Sequence, residues 1–261
     1  MPELQARAVL AHFRAVGGWV NWGDTVDQFL YGDPEREVRG IACAWIATNR
    51  AIREAGEKGL NLFISHEPIF YRAYEESPSG KELADKKRVL LDRLGITVLR
   101  CHDTWDRMPD CGIPDAWAAW LGFPTEPRPV ESFYKTCLLG DITVEEAGRR
   151  VLEKVRPLGQ DTVLILGDRT RRVRRMAVGT GAITNLTKML DLRPDLMLAT
   201  DDGINMWTAG HWAVDLGMPL LIVNHATAEK PGMMAMPAYL RQVFPGLPAE
   251  YVDCEFPYSS L

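Results

Sequence analysis

The sequence predicts an α/β protein of two similar halves, each a mixed or parallel sheet flanked by helices. Short apolar runs alternate with helical segments along most of the chain, a rhythm typical of sheets that helices cover on both faces. The stretches "LGITVLRCHD" (94–103) and "LGMPLLIVNHA" (216–226) both contain a glycine helix stop, an apolar strand and a histidine at the strand end. We therefore expect one half over residues 1–125 and the other over residues 126–261.

The first half is predicted to contain three strands with helices between them. Apolar residues at helical spacing predict a first helix that ends at Gly17. Three apolar runs predict strands at residues 38–45, 60–65 and 96–102. Thr48 is placed to cap the helix after the first of these strands. A long helix over residues 81–95 is predicted to end at Gly95. Its buried face is predicted to consist of Leu83, Val89, Leu90 and Leu94.

The second half repeats this order after a proline-rich segment over residues 122–134. Thr143 and Glu146 have the spacing of a capping box, so a helix is predicted to start there. "GTG" (179–181) is a candidate phosphate site at a helix N-terminus. The remaining predicted elements are strands at residues 173–179, 194–200 and 218–225 and helices at residues 183–192 and 204–217.

Composition and charge exclude several classes of protein. The chain has 261 residues, 46% hydrophobic and 25% charged, as expected for a globular protein with a sizeable core. Its net charge of -5 argues against a general nucleic-acid surface. No apolar run approaches the roughly 20 residues of a membrane span, and the N-terminus lacks the apolar core of a signal peptide. Five scattered cysteines fit a reducing compartment. We expect a cytoplasmic protein without membrane binding.

Three histidines at predicted strand ends are candidate metal ligands. Each follows an apolar strand, at the sheet edge where ligands bind in α/β proteins, and each has a carboxylate close by in the sequence. Imidazole and carboxylate groups together suit several divalent ions. The pairs are His66 with Glu67, His102 with Asp106, and His225 with Glu229.

The i, i+4 spacing of two pairs favours a shared cation. If the chain turns helical after the strand, residues i and i+4 lie on one face, so a histidine nitrogen and a carboxylate oxygen can converge. Three pairs supply more ligands than one tetrahedral structural zinc takes. They suit two divalent ions bridged by a carboxylate. The alternative, that each histidine only makes hydrogen bonds at its strand end, stays open at this point.

Four stretches, in chain order, are similar to the motifs of a known family. "TVDQFLYGDPEREVRGIA" (25–42) is similar to the opening of one subgroup, and "SHEPIFY" (65–71) to an HHP or HEP element. "CHDTWD" (101–106) is similar to an HTNLD or HDxW element, and "NHATAEKPGM" (224–233) to a GHxxSE element. The sequence thus resembles, over nearly its whole length, the Nif-three-like proteins, also called GTP cyclohydrolase type 2 homologues or dinuclear-metal-centre hexameric proteins.

The resemblance implies two divalent ions, zinc, iron or manganese, with Asp106 or Glu229 as the bridging ligand. It implies two related α/β halves with the metals in a cleft between them, and a ring-like homo-oligomer, typically a hexamer. The ligands that it implies are His66, Glu67, His102, Asp106, His225 and Glu229.

This sequence departs from the family pattern at two places. Glu67 stands where the family has a second histidine, which makes the site more anionic and favours manganese, iron or magnesium. "TDDGIN" (200–205) replaces a GE turn, and Asp201 or Asp202 is a candidate substitute for that glutamate.

Several further residues are predicted to act near the metals. Asp103 and Asp202 are candidate catalytic proton carriers. The candidate substrate-binding residues are Tyr71, Trp105 and His211. Tyr71 and Trp105 can stack on a planar base, or they can be core aromatics; His211 can be a packing residue or lie at the edge of a substrate.

The predicted function is metal-dependent hydrolysis of a nucleotide or a related small molecule. Two divalent ions suit attack on a C–N or P–O centre, and a reaction of the GTP cyclohydrolase type is what the family label implies. Phosphoesterase and amidohydrolase activities are equally compatible with two metals. The alternative is a non-enzymatic metal-binding regulatory or scaffold protein that forms an oligomeric ring.

Overall fold

The computed structural model describes residues 4–255 and residue 258. The strands are β1 (Phe29–Tyr31), β2 (Ile41–Ala44), β3 (Leu62–Ser65), β4 (Thr97–Arg100), β5 (Lys135–Thr143), β6 (Leu164–Leu166), β7 (Arg172–Val178), β8 (Leu196–Thr200), β9 (Leu220–Val223) and β10 (Ala249–Tyr251). The α-helices are α1 (Ala6–Val16), α2 (Asn49–Glu57), α3 (Arg72–Glu75), α4 (Pro78–Leu94), α5 (Asp103–Arg107), α6 (Ile113–Leu121), α7 (Val144–Val155), α8 (Leu186–Leu190), α9 (His211–Asp215) and α10 (His225–Val243).

The first compact unit comprises residues up to Met108 together with Met233–Cys254. Its sheet has the strand order β1-β4-β3-β2-β10, in which β1 is antiparallel and the other four strands are parallel. Because β10 pairs with β2, residues near the C-terminus belong to the first sheet. The sequence predicts a single division of the chain at residue 125, whereas the first unit also contains residues from the C-terminal part of the chain. The parallel pairing brings the ends of β3 and β4 to one edge of the sheet.

The second compact unit comprises Pro109–Gly232. Its sheet has the order β5-β7-β8-β9-β6, with β7, β8 and β9 parallel and both edge strands antiparallel. Alternate residues of β8 enter two separate apolar clusters: Leu196 and Leu198 join one, and Met197 and Ala199 join the other. Since successive side chains of a strand point to opposite faces, this sheet is covered by apolar packing on both sides. Both units are therefore α/β, as the sequence predicts.

The predicted internal similarity appears as the same local structure in both units. Gly95 and Gly217 each follow a helix with φ of +62°, the left-handed conformation that a helix stop requires. Each glycine leads into a parallel strand, β4 or β9, and each strand is followed by a histidine and a helix. The two stretches quoted first therefore form equivalent elements.

The predicted helix caps are confirmed. The Thr48 hydroxyl accepts a hydrogen bond from the Ala51 N–H at the start of α2. Thr143 and Glu146 form both hydrogen bonds of a capping box at the start of α7. Each satisfies a backbone N–H that the helix itself leaves without a partner.

Two helix predictions need correction. The sequence predicts Leu83 and Val89 on the buried face of α4, but each is 66% exposed. The buried residues of this helix are Ala84, Leu90 and Leu91, so the apolar stripe is narrower than its leucine and valine content indicates. The helix predicted over residues 204–217 instead begins with a π-helical turn at Met206–Gly210, followed by the short α9.

Helix α10 was not predicted from the sequence. Pro231 and Pro237 lie inside it, and proline removes a backbone hydrogen bond and disfavours a helix interior. Buried Met233, Met236 and Leu240 lie on this helix, which indicates that tertiary packing outweighs the local cost. Within the described part of the chain, no helix is long and apolar enough to cross a membrane.

Candidate metal centre

The first set of candidate ligands follows β3 and β4 in the first unit. His66 and Glu67 come directly after β3, and the N–H of each donates to the Trp45 carbonyl, at 3.1 Å and 2.8 Å. The Arg100 guanidinium donates to the His66 carbonyl at 2.9 Å and to the Glu67 carboxylate at 3.3 Å. These contacts fix the backbone of both residues at the end of the strand.

Four of the predicted ligands lie together in this unit. The His66 side chain is fully buried, and its ring stacks on the His102 ring with centroids 4.4 Å apart. Asp106 lies beside both rings, with one oxygen 3.3 Å from His66 Nε2 and the other 3.5 Å from His102 Nδ1. One ligand atom from each of His66, Glu67 and His102 lies within 4.8 Å of the other two. Such a cluster of imidazole and carboxylate donors fits a divalent cation.

Asp103 contacts a histidine and the preceding loop. Its carboxylate lies 2.9 Å from His102 Nδ1 and accepts hydrogen bonds from the Thr25 hydroxyl at 2.7 Å and the Val26 N–H at 3.3 Å. The hydrogen bond to His102, together with the one from Thr25, outweighs burial and holds the pKa of Asp103 well below its usual range. Asp103 is therefore a stable carboxylate that holds the His102 ring.

The second set lies at the ends of β8 and β9 in the second unit. His225 is the first residue of α10, and Glu229 follows one turn later on the same face. The His225 Nε2 atom is 2.8 Å from the Glu229 carboxylate, and the His225 Nδ1 atom is 2.7 Å from the Asp202 carboxylate. The i, i+4 arrangement predicted from the sequence is thus present in both units.

The two carboxylates around His225 favour its protonated form. Burial lowers the pKa of His225, but the hydrogen bonds and charges of Asp202 and Glu229 outweigh burial and raise it to about 11. Burial also raises the pKa of Asp202, and here too the interaction with His225 prevails and lowers it. A cation that binds His225 must displace this proton, so metal binding here releases a proton.

Gly181 lies against the second set. A Cβ atom at this position would be 2.6 Å from Glu229 Oε1 and 3.1 Å from His225 Nε2. The Gly181 carbonyl accepts hydrogen bonds from the hydroxyls of Thr184 at 2.9 Å and Thr200 at 2.8 Å, which hold this loop in place. The absent side chain keeps space beside both ligand atoms, as a bound cation would require. The next helix, α8, begins only at Leu186, which corrects the prediction of a phosphate site at a helix N-terminus next to "GTG".

The predicted substrate-binding residues occupy three different environments. Tyr71 is partly exposed and lines a cavity of about 410 Å³ in the first unit. Burial, together with the negative charge of Glu67, raises the pKa of Tyr71. Trp105 is fully buried and packs edge-on against Phe13 and Tyr239, the core-aromatic alternative. His211 is exposed at the start of α9.

Sequence reasoning missed two residues that shape these clusters. Asp27 accepts hydrogen bonds from the backbone N–H groups of His102 and Asp103, at 2.6 Å and 2.8 Å. Arg100 links β4 to His66 and Glu67. Asp27 belongs to the "TVD" stretch that carries part of the family resemblance, which was the available signal. Nothing in its local spacing indicates that it contacts a strand end 75 residues later.

The fold and these clusters define an α/β protein of two related units with a histidine and a carboxylate, one helical turn apart, at a parallel strand end in each. Residues 7–256 match the family described as Duf34/NIF3 (NGG1p interacting factor 3). The chain belongs to this family.

Relatives and solved structures agree with this assignment. A Clostridium perfringens protein named GTP cyclohydrolase 1 type 2 homolog is 24% identical over 211 residues, covering 77% of this chain and 78% of that protein. The crystal structure of Staphylococcus aureus hypothetical protein SA1388 has a TM-score of 0.79 at 17% identity, covering 98% of this chain and 99% of that one. Reduced HcgD from Methanocaldococcus jannaschii has a TM-score of 0.69 at 16% identity, covering 97% and 99%. At these identities the structures show a shared fold.

Proposed function

We propose that this protein binds two divalent cations through the two sets of ligands. The observation that carries the proposal is the repeated pair: a histidine followed four residues later by a carboxylate, at the end of a parallel strand in each unit. Zinc, iron and manganese suit imidazole and carboxylate donors. The proposed ligands are His66, Glu67, His102, Asp106, His225 and Glu229.

The proposed activity is metal-dependent hydrolysis of a small molecule, with nucleotides as the first substrate class to test. Its support is the name GTP cyclohydrolase 1 type 2 homolog that relatives carry; phosphoesters and amides are the other candidates. Divalent cations in such a site polarise carbonyl or phosphoryl oxygens as Lewis acids. The cavity lined by Tyr71 is the proposed place for the planar part of the substrate.

The contacts of Asp103 and Asp202 bear on their predicted role as proton carriers. Each carboxylate contacts the Nδ1 atom of a histidine, His102 or His225. Both have lowered pKa values, because their hydrogen bonds to these histidines outweigh burial. Carboxylates held in this way orient the imidazole of a metal ligand. We therefore propose an orienting role for both in place of proton transfer.

The test is the metal content of purified protein and of His66→Ala and His225→Ala variants. The wild type is expected to hold about two divalent ions per chain, and each variant about one or fewer, because each loses one imidazole from a different set. His211→Ala is the matched control, since His211 is exposed on α9 and belongs to neither set. Equal metal content in all four proteins would contradict the proposal.

The hydrolytic part is tested separately, with nucleotides, phosphoesters and amides in the presence of Zn²⁺, Fe²⁺ or Mn²⁺. Turnover that disappears in the Glu229→Gln variant supports an enzyme. Metal binding without turnover would favour the alternative, a metal-binding scaffold whose function lies in its assembly. The exposed Trp207 and Trp212 favour this second candidate, because exposed apolar side chains in a group are typical of interaction surfaces.

A further inference from the structure

In both units an aspartate accepts a hydrogen bond from the backbone N–H of the histidine at the strand end. In the first unit the Asp27 Oδ1 atom accepts from the His102 N–H at 2.6 Å. In the second unit the Asp201 Oδ1 atom accepts from the His225 N–H at 3.1 Å. The two aspartates precede their histidines by 75 and 24 residues. The same contact is therefore made by unrelated segments of the chain.

Asp27 is saturated by hydrogen bonds from the start of α5. Beside His102, its Oδ1 accepts from the Asp103 N–H at 2.8 Å, and its Oδ2 accepts from the Thr104 N–H at 2.9 Å and the Thr104 hydroxyl at 2.6 Å. The side chain is buried. A helix of only five residues is marginal by itself, and a carboxylate at its start satisfies free N–H groups and suits the helix dipole. Asp27 thereby holds the helix that carries Asp106.

Asp201 makes the corresponding contacts at the start of α10. Its second oxygen accepts from the Asn224 side-chain amide at 2.8 Å. The Asn224 side-chain oxygen in turn accepts from the Ala226 N–H at 3.0 Å. These bonds fix the junction between β9 and α10, and therefore the turn that separates His225 from Glu229.

A second aspartate completes each arrangement at the imidazole. Asp103 contacts His102 Nδ1 at 2.9 Å, and Asp202 contacts His225 Nδ1 at 2.7 Å. Each histidine is thus held at its backbone by one carboxylate and at its ring by another. At His225 this leaves Nε2, the atom 2.8 Å from Glu229, to face a cation. At His102 the Asp106 carboxylate lies 3.5 Å from the same Nδ1 atom that Asp103 contacts.

We propose that Asp27 and Asp201 are positioning residues for metal binding, each of which sets the histidine and carboxylate of its own unit in ligand geometry before a cation arrives. This inference rests on the proposed metal-binding function. Neither aspartate is a ligand. Each acts through the backbone of the residues that bind.

The test compares Asp27→Asn and Asp201→Asn with the wild type after chelator treatment, using Co²⁺ as the probe. Asparagine keeps the size of the side chain but replaces one acceptor oxygen with an N–H₂ donor. Co²⁺ affinity is expected to fall about 10- to 100-fold, the usual effect of removing a group that orients a ligand. The visible absorption spectrum of bound Co²⁺ is also expected to change, because this spectrum depends on the geometry of the ligands. A variant that is only less stable would give the wild-type spectrum in its folded molecules.

Asp24→Asn and Asp215→Asn are the matched controls, since both residues are exposed. Asp24 lies in the same loop as Asp27, and Asp215 lies on α9. Wild-type affinity and spectrum in folded Asp27→Asn and Asp201→Asn would overturn the inference. Asp201 is exposed, so its variant is expected to fold even if the Asp27 variant does not. If His66→Ala and His225→Ala lose metal while both aspartate variants retain it, only this inference fails. If the histidine variants also retain it, the proposed metal binding fails.

Discussion

At the scale of single residues, Gly181 shows how one missing side chain shapes the second ligand set. Its φ of +65° lies in the left-handed region, where glycine has no steric cost. A Cβ here would also meet Glu229 Oε1 at 2.6 Å. Gly217 has a similar φ of +62°, but no atom lies within 4 Å of its hypothetical Cβ. A comparison of substitutions at Gly181 and Gly217 therefore distinguishes the effect of backbone strain from the effect of steric contact with the candidate ligands.

Replacing Gly181 with alanine is expected to prevent binding of the metal that we propose for His225 and Glu229. Gly217→Ala carries the same cost of placing an L-residue in the left-handed region, about 1–2 kcal/mol, but leaves the candidate ligands undisturbed. In denaturant titrations of the metal-free protein, we expect Gly181→Ala to lose at least as much unfolding free energy as Gly217→Ala, because its Cβ also displaces Glu229. Only Gly181→Ala is expected to lose bound metal. Full metal occupancy in Gly181→Ala would show that the space beside Glu229 has no role in binding.

The six candidate ligands could be chosen from the sequence, because each belongs to a local pattern; their binding of metal stays a prediction. A histidine after an apolar strand, with a carboxylate one helical turn later, is visible within five residues, and the structure places His102 with Asp106 and His225 with Glu229 as the spacing indicates. Asp27 could not be found in this way, because its contact depends on which loop packs against the end of β4.

At the scale of elements, Asp115 connects three neighbouring segments of the second unit. It lies on α6 and pairs with Arg128 at 2.5 Å, in the proline-rich segment, and with Lys135 at 2.5 Å, at the start of β5. Burial raises the pKa of Asp115, but the hydrogen bonds and charges of Arg128 and Lys135 outweigh it and lower the pKa. This carboxylate therefore anchors a segment that has little regular structure.

The lowered pKa predicts a pH-dependent contribution to stability. A carboxylate with a depressed pKa in the folded state contributes its full stability above its unfolded pKa, about 3.9, and loses it as the pH falls through the folded value. At pH 7, Asp115→Asn is expected to lower the unfolding free energy by about 3 kcal/mol, since it leaves two cations without their carboxylate. The difference from wild type should shrink below about pH 4.

The measurement is denaturant unfolding from pH 7 to pH 3. Asp191→Asn is the control, because Asp191 is exposed and its substitution is expected to change stability little at any pH. A difference between wild type and Asp115→Asn that stays constant down to pH 3 would contradict this role for the ion pairs.

Most elements with regular apolar spacing were predicted, and those with local conflicts were not. Helix α7 carries a complete capping box and follows the prediction closely. Helix α10 contains two prolines and has no comparable signal. The short β6 and β10 lack a local pattern, because their position comes from pairing with β9 and β2.

At the scale of the whole molecule, exposed apolar side chains are concentrated between residues 206 and 216. Trp207 is 77% exposed and Trp212 59% exposed. Exposing two tryptophans to water is unfavourable, and groups of this kind usually mark interaction surfaces. The other exposed apolar residues of this stretch are Met206, Val214 and Leu216. We propose a second copy of this chain as the partner, in agreement with the homo-oligomer that the family resemblance implies.

Light scattering after size-exclusion chromatography tests the proposed assembly. We expect a mass near six times that of the 29.3 kDa chain, and a smaller mass for the double variant Trp207→Ser/Trp212→Ser, because it loses the apolar area that drives association. Val89→Ser is the control, since Val89 is exposed on α4 but lies outside this stretch. A monomeric wild type, or an unchanged mass in the double variant, would contradict the assignment of this surface.

The alternation of strands and helices, the glycine stops and the histidine-carboxylate spacing are all set by neighbours along the chain, and each was visible in the sequence. The contacts between segments that are distant in the sequence were decided only by the tertiary structure. It paired β10 with β2, placed Asp27 at the start of α5, and brought Gly181 against His225 and Glu229. Local periodicity reports which side chains share a helix turn, because that geometry is the same in every helix. It carries no information about which distant segments meet, because those contacts arise from the packing of the complete sheet.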